Sequence, residues 1–143
     1  MLFTHRHQVR FGECDPAGIL YYPRYFDLFH QTMEAWFGQV LGRPYHGFVR
    51  DQGYGVPAVH AEADYSGMSA FGDWLHIELR VVGLGRTSIR FSYVAKGQDG
   101  DLRASGSVVC VLMDLDPSRP TYRTAVALPD DLRQDLAAYQ ASC

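Results

Sequence analysis

The feature that most constrains the fold of this sequence is one long amphipathic run set among strand-like segments. Phe26, Phe29, Met33, Phe37 and Val40 recur at steps of three and four, with Leu41 beside them and with Ala35 and Trp36 widening the stripe. Pro23 stands where a first helical turn tolerates a fixed φ and a missing N–H, and Gly42 stands where a helix stops. The spacing predicts a single helix of about 19 residues, roughly 28 Å long at 1.5 Å per residue. Upstream, residues 2 to 11 alternate loosely, with Phe3, His5, His7 and Val9 on one face, and read as a strand. Downstream, 44 to 52 read as a short irregular or helical connector. VPAVHAEADYS (56–66), DWLHIELRVVG (73–83), RTSIRFSYVAK (86–96) and LRASGSVVCVLMD (102–114) read as strands joined by turn-rich GMSAFG, LG and GQDGD. A last helix is expected over DDLRQDLAAYQ, 130 to 140, where two acids suit a helix start. The sum is an α+β layer arrangement, an antiparallel sheet wrapped around one long helix. At 143 residues it is read as one domain, 1–143, able to bury about 68–70% of its unfolded surface. Its open strand edges invite pairing with a second copy.

Thirteen basic against sixteen acidic residues, with no block of Lys or Arg, argue against nucleic acid or an anionic membrane as partner. Lys96 is the only lysine, so an anionic ligand must rely on arginines and backbone N–H groups. The N-terminal MLFTHRHQVRFGE lacks an apolar signal core, and no run approaches the roughly 20 apolar residues of a membrane span. Cys14, Cys110 and Cys143 are odd in number and lack C-x-x-C spacing, which suits reduced thiols. A cytoplasmic location is therefore expected.

The stretch FGECDPAGILYYPRYF, 11 to 26, carries the chemistry. Pro16 biases Asp15 toward an extended conformation, and Gly18 permits a tight or left-handed turn. The helix expected near Pro23 then offers free N–H groups and a partial positive charge. A carboxylate and an oxyanion donor facing one gap are what acyl transfer needs. Pro23 cannot donate, which leaves the Tyr22 N–H as the donor. A carboxylate is a modest nucleophile, and a thiolate leaves readily, so thioesters are favoured over amides, with no metal or cofactor required. The plain alternative is an Asp–Pro–Gly turn with no chemistry at all.

FGECDPAGILYYPRYFDLFHQTMEAWF resembles the signature of the 4-hydroxybenzoyl-CoA thioesterase family of hot-dog proteins, where D-x-x-G-[IV]-x-[YF]-x-x-Y runs from a catalytic loop into the central helix, read here as Asp15, Gly18, Ile19, Tyr21 and the later aromatics. ADYSGMSAFGDWLHIELRVVGLGRTSIRF is similar to the family's paired strands and turn, and the likeness covers roughly 7 to 129. The resemblance implies a hot-dog fold and hydrolysis of an acyl-CoA, with Asp15 as nucleophile or general base and the Tyr22 N–H polarising the thioester carbonyl. The Tyr-Pro pair is more like the aryl-CoA branch than those relatives with His at that position. It also implies dimers that share active sites, and often a homotetramer. Coenzyme A brings phosphate charge, for which Arg86 matches a basic turn position, with Thr87 and Ser88 as further donors. Arg123 lies near a second such position. Tyr21, Tyr22, Tyr25 and Phe26 are expected to line an aryl pocket or to pack the core. The rival readings are a non-catalytic hot-dog module that binds acyl-CoA and a hydratase of the same fold.

Three further groups carry polar chemistry. Cys14 adjoins Asp15, but neighbours in an extended segment point apart, so it is read as a structural thiol. His5 and His7 share a strand face without the ligands that would make a zinc site. His30 and Glu34, four apart on the helix, are read as a local pair or a contact to a partner subunit.

Overall fold

A computed structural model describes residues 1–143. The chain runs through β1 (Phe3–Gln8), a 3-10 turn at Phe11–Glu13, α1 (Arg24–Gln39), α2 (Tyr45–Arg50), β2 (Tyr54–Gly55), β3 (Ala58–Tyr65), β4 (Trp74–Leu84), β5 (Ser88–Gly97), β6 (Leu102–Val111), β7 (Met113–Asp114) and α3 (Asp130–Ser142). Five strands make one antiparallel sheet in the order β1-β4-β5-β6-β3, and β2 pairs separately with β7. This is the hot-dog arrangement, with α1 against the inner face of the sheet.

Strict alternation explains how the sheet receives the helix. Leu75, Ile77, Leu79 and Val81 of β4 and Ile89, Phe91, Tyr93 and Ala95 of β5 are all buried. From α1, Tyr25, Leu28, Phe29, Thr32, Met33, Trp36 and Phe37 form the facing stripe. Trp36 meets Phe91 edge-on at 5.7 Å. Each such ring, fully withdrawn from water, contributes about 1.5–3 kcal/mol. The polar Thr32 is accommodated because its hydroxyl donates to the Leu28 carbonyl at 2.7 Å. α3 closes the core beside β4, where the Tyr139 hydroxyl donates to the Leu79 carbonyl at 2.5 Å and accepts the Phe3 N–H at 2.9 Å.

The elements differ from the periodicity at their ends. α1 stops at Gln39 rather than running on to Leu41, because after the last helical bond, from the Val40 N–H to Trp36, the Leu41 N–H slips back to the same carbonyl at 3.4 Å and the Arg43 N–H returns to Phe37 at 3.0 Å. The apolar pattern continues past the backbone because Leu41 still packs on the core. The expected 56–66 strand forms only from Ala58, after Pro57, which has no N–H to give a ladder. The 102–114 strand divides at Leu112, whose N–H makes the last in-register bond to the β5 side, at the Thr87 carbonyl 2.8 Å away, while its carbonyl turns to accept the Val126 N–H at 2.9 Å and Met113 and Asp114 pair with β2 instead. Arg86 and Thr87 lie in the turn before β5 rather than inside it.

The two edges of the main sheet are β1 and β3. Seven of the eight residues of β3 are exposed, which leaves that edge without cover on either face. No helix is long and apolar enough to cross a membrane.

Candidate active site

The loop carrying Asp15 is a small hairpin whose arms are tied in register. The Tyr21 N–H donates to the Glu13 carbonyl at 2.9 Å, Cys14 bridges to Leu20, and the Asp15 N–H donates to Ile19 at 2.9 Å. Gly18 makes the tip possible at φ +78, where a side chain would be strained, and its N–H returns to the Asp15 carbonyl at 2.9 Å. One oxygen of the Asp15 carboxylate, Oδ1, accepts the Ala17 N–H at 2.9 Å. That is the turn-capping bond of the plain reading, and it fixes the side chain's direction while Oδ2 has no partner in the chain.

A second wall holds the hairpin. The segment between β3 and β4 accepts the Leu20 N–H on the Ser69 carbonyl at 2.8 Å and donates the Phe71 N–H to the Gly18 carbonyl at 3.1 Å. The buried Tyr25 and Ser69 hydroxyls, 3.0 Å apart, join this wall to the first turn of α1. Arg103 clamps it from behind, donating to the Met68 carbonyl at 2.6 Å and reaching Asp73 at 3.4 Å and Asp99 at 2.9 Å.

At the start of α1, the Arg24, Tyr25 and Phe26 N–H groups close short turns on Tyr21, Tyr22 and Pro23, and the Tyr21 N–H is spent on Glu13. Pro23 has none to give. The Tyr22 N–H makes no hydrogen bond within the chain, so the donor singled out in the sequence is a free one at the positive end of a 16-residue helix.

One turn further along the same face lies Phe26, which with Phe29, Met33, Tyr93, Val108 and Cys110 walls an apolar cavity of about 250 Å³ between α1 and the sheet. Burial pushes the Tyr93 phenol up and the Cys110 thiol up to about 11, keeping both neutral there. Of the four aromatics expected to line an aryl pocket or to pack the core, Phe26 lines the cavity. Tyr25 is core, while Tyr21 and Tyr22 are exposed, because the chain before the helix turns them outward; Tyr22 stacks edge-on with Tyr65 at 5.7 Å. A larger cleft of about 670 Å³ lies by Gln39 and Val40, at the other end of α1 and roughly 25 Å along the axis from Tyr22.

Cys14 is half-buried, and its thiol is held above its ordinary value by desolvation and by the adjacent Glu13 and Asp15 carboxylates, the reverse of what activates a thiol nucleophile. His5 and His7 share the inward side of β1, and His7 is engaged by Glu13. His30 and Glu34 pair at 3.0 Å on α1, and His30 also touches the cavity.

Arg86 is exposed and forms no ion pair. Its carbonyl accepts the Leu128 N–H at 2.9 Å, which fixes the turn. Thr87 and Ser88 follow, half-buried. This turn joins the C-terminal end of β4 to β5, whereas Asp15 sits by the N-terminal end of β4, so within one chain the two groups occupy opposite ends of the sheet. β4, at 11 residues, separates them by about 33 Å. Arg123 lies at that far end too, at φ +64 and with its guanidinium 4.9 Å over Tyr122.

The residue that sequence reasoning passed over is Glu13. Its only signal was an acid three positions after Arg10, which is the spacing of an N-terminal capping carboxylate.

The model of the Thioesterase-like superfamily matches residues 9–136. The chain is 38% identical over 92 residues to a 1,4-dihydroxy-2-naphthoyl-CoA hydrolase of Synechococcus elongatus, covering 64% of this chain and 67% of the relative. It is 27% identical over 144 residues to a protein of the same name from Trichodesmium erythraeum, covering 98% and 99%. The structure of 4-hydroxybenzoyl-CoA thioesterase from Pseudomonas sp. strain CBS-3 is similar with a TM-score of 0.81 at 25% identity, covering 94% of this chain and 98% of that one.

Proposed function

Because this chain belongs to the thioesterase-like superfamily, we propose that it is an acyl-CoA thioesterase acting on aromatic acyl-CoA. The observation that carries the reading is the free Tyr22 N–H at the helix start beside a loop that presents the Asp15 carboxylate. The thioester carbonyl oxygen accepts from that N–H and becomes the oxyanion. Asp15 either attacks the carbonyl carbon, giving an acyl-aspartyl anhydride that water then cleaves to free the acid and restore the carboxylate, or draws a proton from the water that attacks. The carbon–sulfur bond breaks, and coenzyme A leaves as a thiolate; water supplies the hydroxyl of the free acid and the proton of the thiol. The cavity beyond Phe26 takes the acyl group. Its flat aromatic walls suit a ring, and its volume of about 250 Å³ suits one or two fused rings better than a long chain. The relatives named for naphthoyl and hydroxybenzoyl thioesters support the same class.

The proposed assembly is a dimer or tetramer. Two copies paired antiparallel along β3 would bring the Arg86–Thr87–Ser88 turn of one to the Asp15 end of the other, where those residues would hold the phosphates of coenzyme A. Light scattering that gave a monomer mass at micromolar concentration would contradict this. Three free thiols fit a reducing compartment such as the cytoplasm.

The test is kcat/KM across aryl- and fatty-acyl-CoA substrates, with released thiol read by a thiol-reactive dye. Turnover of benzoyl- or naphthoyl-type thioesters at least roughly ten-fold above fatty ones is expected. Tight binding without thiol release would instead identify a non-catalytic acyl-CoA module, and water addition to an enoyl-CoA would identify a hydratase.

A further inference from the structure

Glu13 is held at both its side chain and its backbone, and both bonds act on the active loop. Its carboxylate grips His7 of β1, with Nε2 at 2.9 and 3.0 Å from the two oxygens, and Oε1 also accepts the Arg10 N–H at 2.8 Å. Both side chains are largely withdrawn from water, at 13% and 19% exposure, so the pair is better shielded than a surface ion pair. Its carbonyl accepts the Tyr21 N–H. Two residues after Glu13 comes Asp15, and one residue after Tyr21 comes the free N–H of Tyr22.

We infer that Glu13, anchored by His7, is the positioning residue of the catalytic loop, fixing the Asp15 carboxylate and the Tyr22 N–H relative to each other. The inference rests on the reading of those two groups as the reacting pair. Beyond Val9, whose N–H makes the last in-register bond of the β1–β4 edge, to Asp73 at 2.8 Å, the chain leaves the sheet. Through the Glu13 side chain, the inner arm of the hairpin is tied back to β1. A shift of Glu13 carries Asp15 with it along the chain and the Tyr21–Tyr22 peptide through the carbonyl bond. Neither Glu13 nor His7 touches the reacting atoms in this scheme.

The experiment compares full-length Glu13→Ala, Glu13→Gln, His7→Ala and the His7→Ala/Glu13→Ala double variant, with Asp15→Asn as reference. Glu13→Ala should lower kcat by roughly ten- to a hundred-fold, the scale of a misplacement near 1 Å, with KM within about two-fold. Glu13→Gln retains an oxygen that can accept from both His7 and Arg10, and should recover to within about three-fold of the parent. The double variant should be no slower than Glu13→Ala, since the two residues act as one unit. Exchange of the Tyr21 amide, followed by NMR, should quicken at least roughly ten-fold in Glu13→Ala and in His7→Ala. Unchanged kcat in Glu13→Ala while Asp15→Asn is inactive would overturn the inference and leave the site intact. Additive losses in the double variant would overturn it as well. A fully active Asp15→Asn would instead remove the reading of the site; the Tyr21 amide would then judge the linkage, with fast exchange upholding it and unchanged protection ending it. If Glu13→Ala does not fold, His7→Ala and Glu13→Gln carry the same readouts.

Discussion

The ring of Phe29 lies flat on that of Tyr93, centroids 4.6 Å apart and planes within 9°, over the bare backbone of Gly106, which pairs across the ladder with Tyr93. A Cβ at Gly106 would come within 2.6 Å of the Phe29 ring and 3.0 Å of the Glu62 carbonyl oxygen. The ring is hemmed in by the core, and the carbonyl belongs to the neighbouring strand. Gly106→Ala should cost about 1–3 kcal/mol, by overpacking. Because Phe29 and Tyr93 both wall the cavity, KM for an aryl-CoA should also rise. A thermal melt and a substrate titration check both; an unchanged melting temperature would show that the ring yields freely.

Asp15→Asn keeps the oxygen that caps the Ala17 N–H, so the hairpin should persist while the negative charge goes. The expected loss in kcat is at least roughly 10²-fold, with acyl-CoA binding retained. Near-parent turnover would return Asp15 to a purely structural role.

Cys14→Ala should leave most activity, since the Cys14 thiol is held in its neutral form by desolvation and by its acidic neighbours. Iodoacetamide should modify the exposed Cys143 first and leave turnover largely intact. Cys110, buried and with its thiol raised to about 11, should be the last to react. Complete inactivation of a well-folded Cys14→Ala protein would demand a thiol mechanism.

Asp114 gives a pH signature. Its carboxyl is held below the usual carboxylate range, first by the Thr121 hydroxyl, then by the Asp116 N–H and the Arg119 guanidinium. A depressed folded value stabilises the protein fully above the unfolded value of about 3.9, and that contribution fades as pH falls through the lower folded value. The gap in melting temperature between the parent and Asp114→Asn should therefore be wide at neutral pH and narrow below about pH 4. A gap independent of pH would exclude the charge as its origin.

Arg86→Ala should chiefly raise KM and flatten its dependence on salt, because the side chain is exposed and unpaired and so available to a phosphate. Identical kinetics would assign it to solvent alone.

Local patterning made most of the architecture legible. The three- and four-residue recurrence from Phe26 to Phe37 located α1, and the alternation of Ile89, Phe91 and Tyr93 gave the inner face of the sheet. Element ends were less legible, because Leu41 keeps the apolar pattern after its N–H has slipped out of the helical i→i−4 bonding, and at Leu112 the ladder to β5 ends only because its carbonyl is taken by the distant Val126 N–H. Within the site, Asp15, Gly18 and the unpaired amide at Tyr22 followed from residue types whose backbone limits are local. The Glu13–His7 contact did not, since β1 must first be placed beside the loop. Nor did the outward turn of Tyr21 and Tyr22, which depends on the Glu13 carbonyl taking up the Tyr21 N–H.

The distance between Asp15 and Arg86 along the sheet has a genetic consequence for the antiparallel assembly proposed above. Each of two sites would draw its carboxylate from one chain and its phosphate grip from the other, so damage to the two functions would segregate unevenly. Mixing Asp15→Asn chains with Arg86→Ala chains would give heterodimers in which one site inherits both lesions and the other inherits neither. Two crippled alleles would complement, and subunit exchange would restore up to half of the parental activity in each mixed pair.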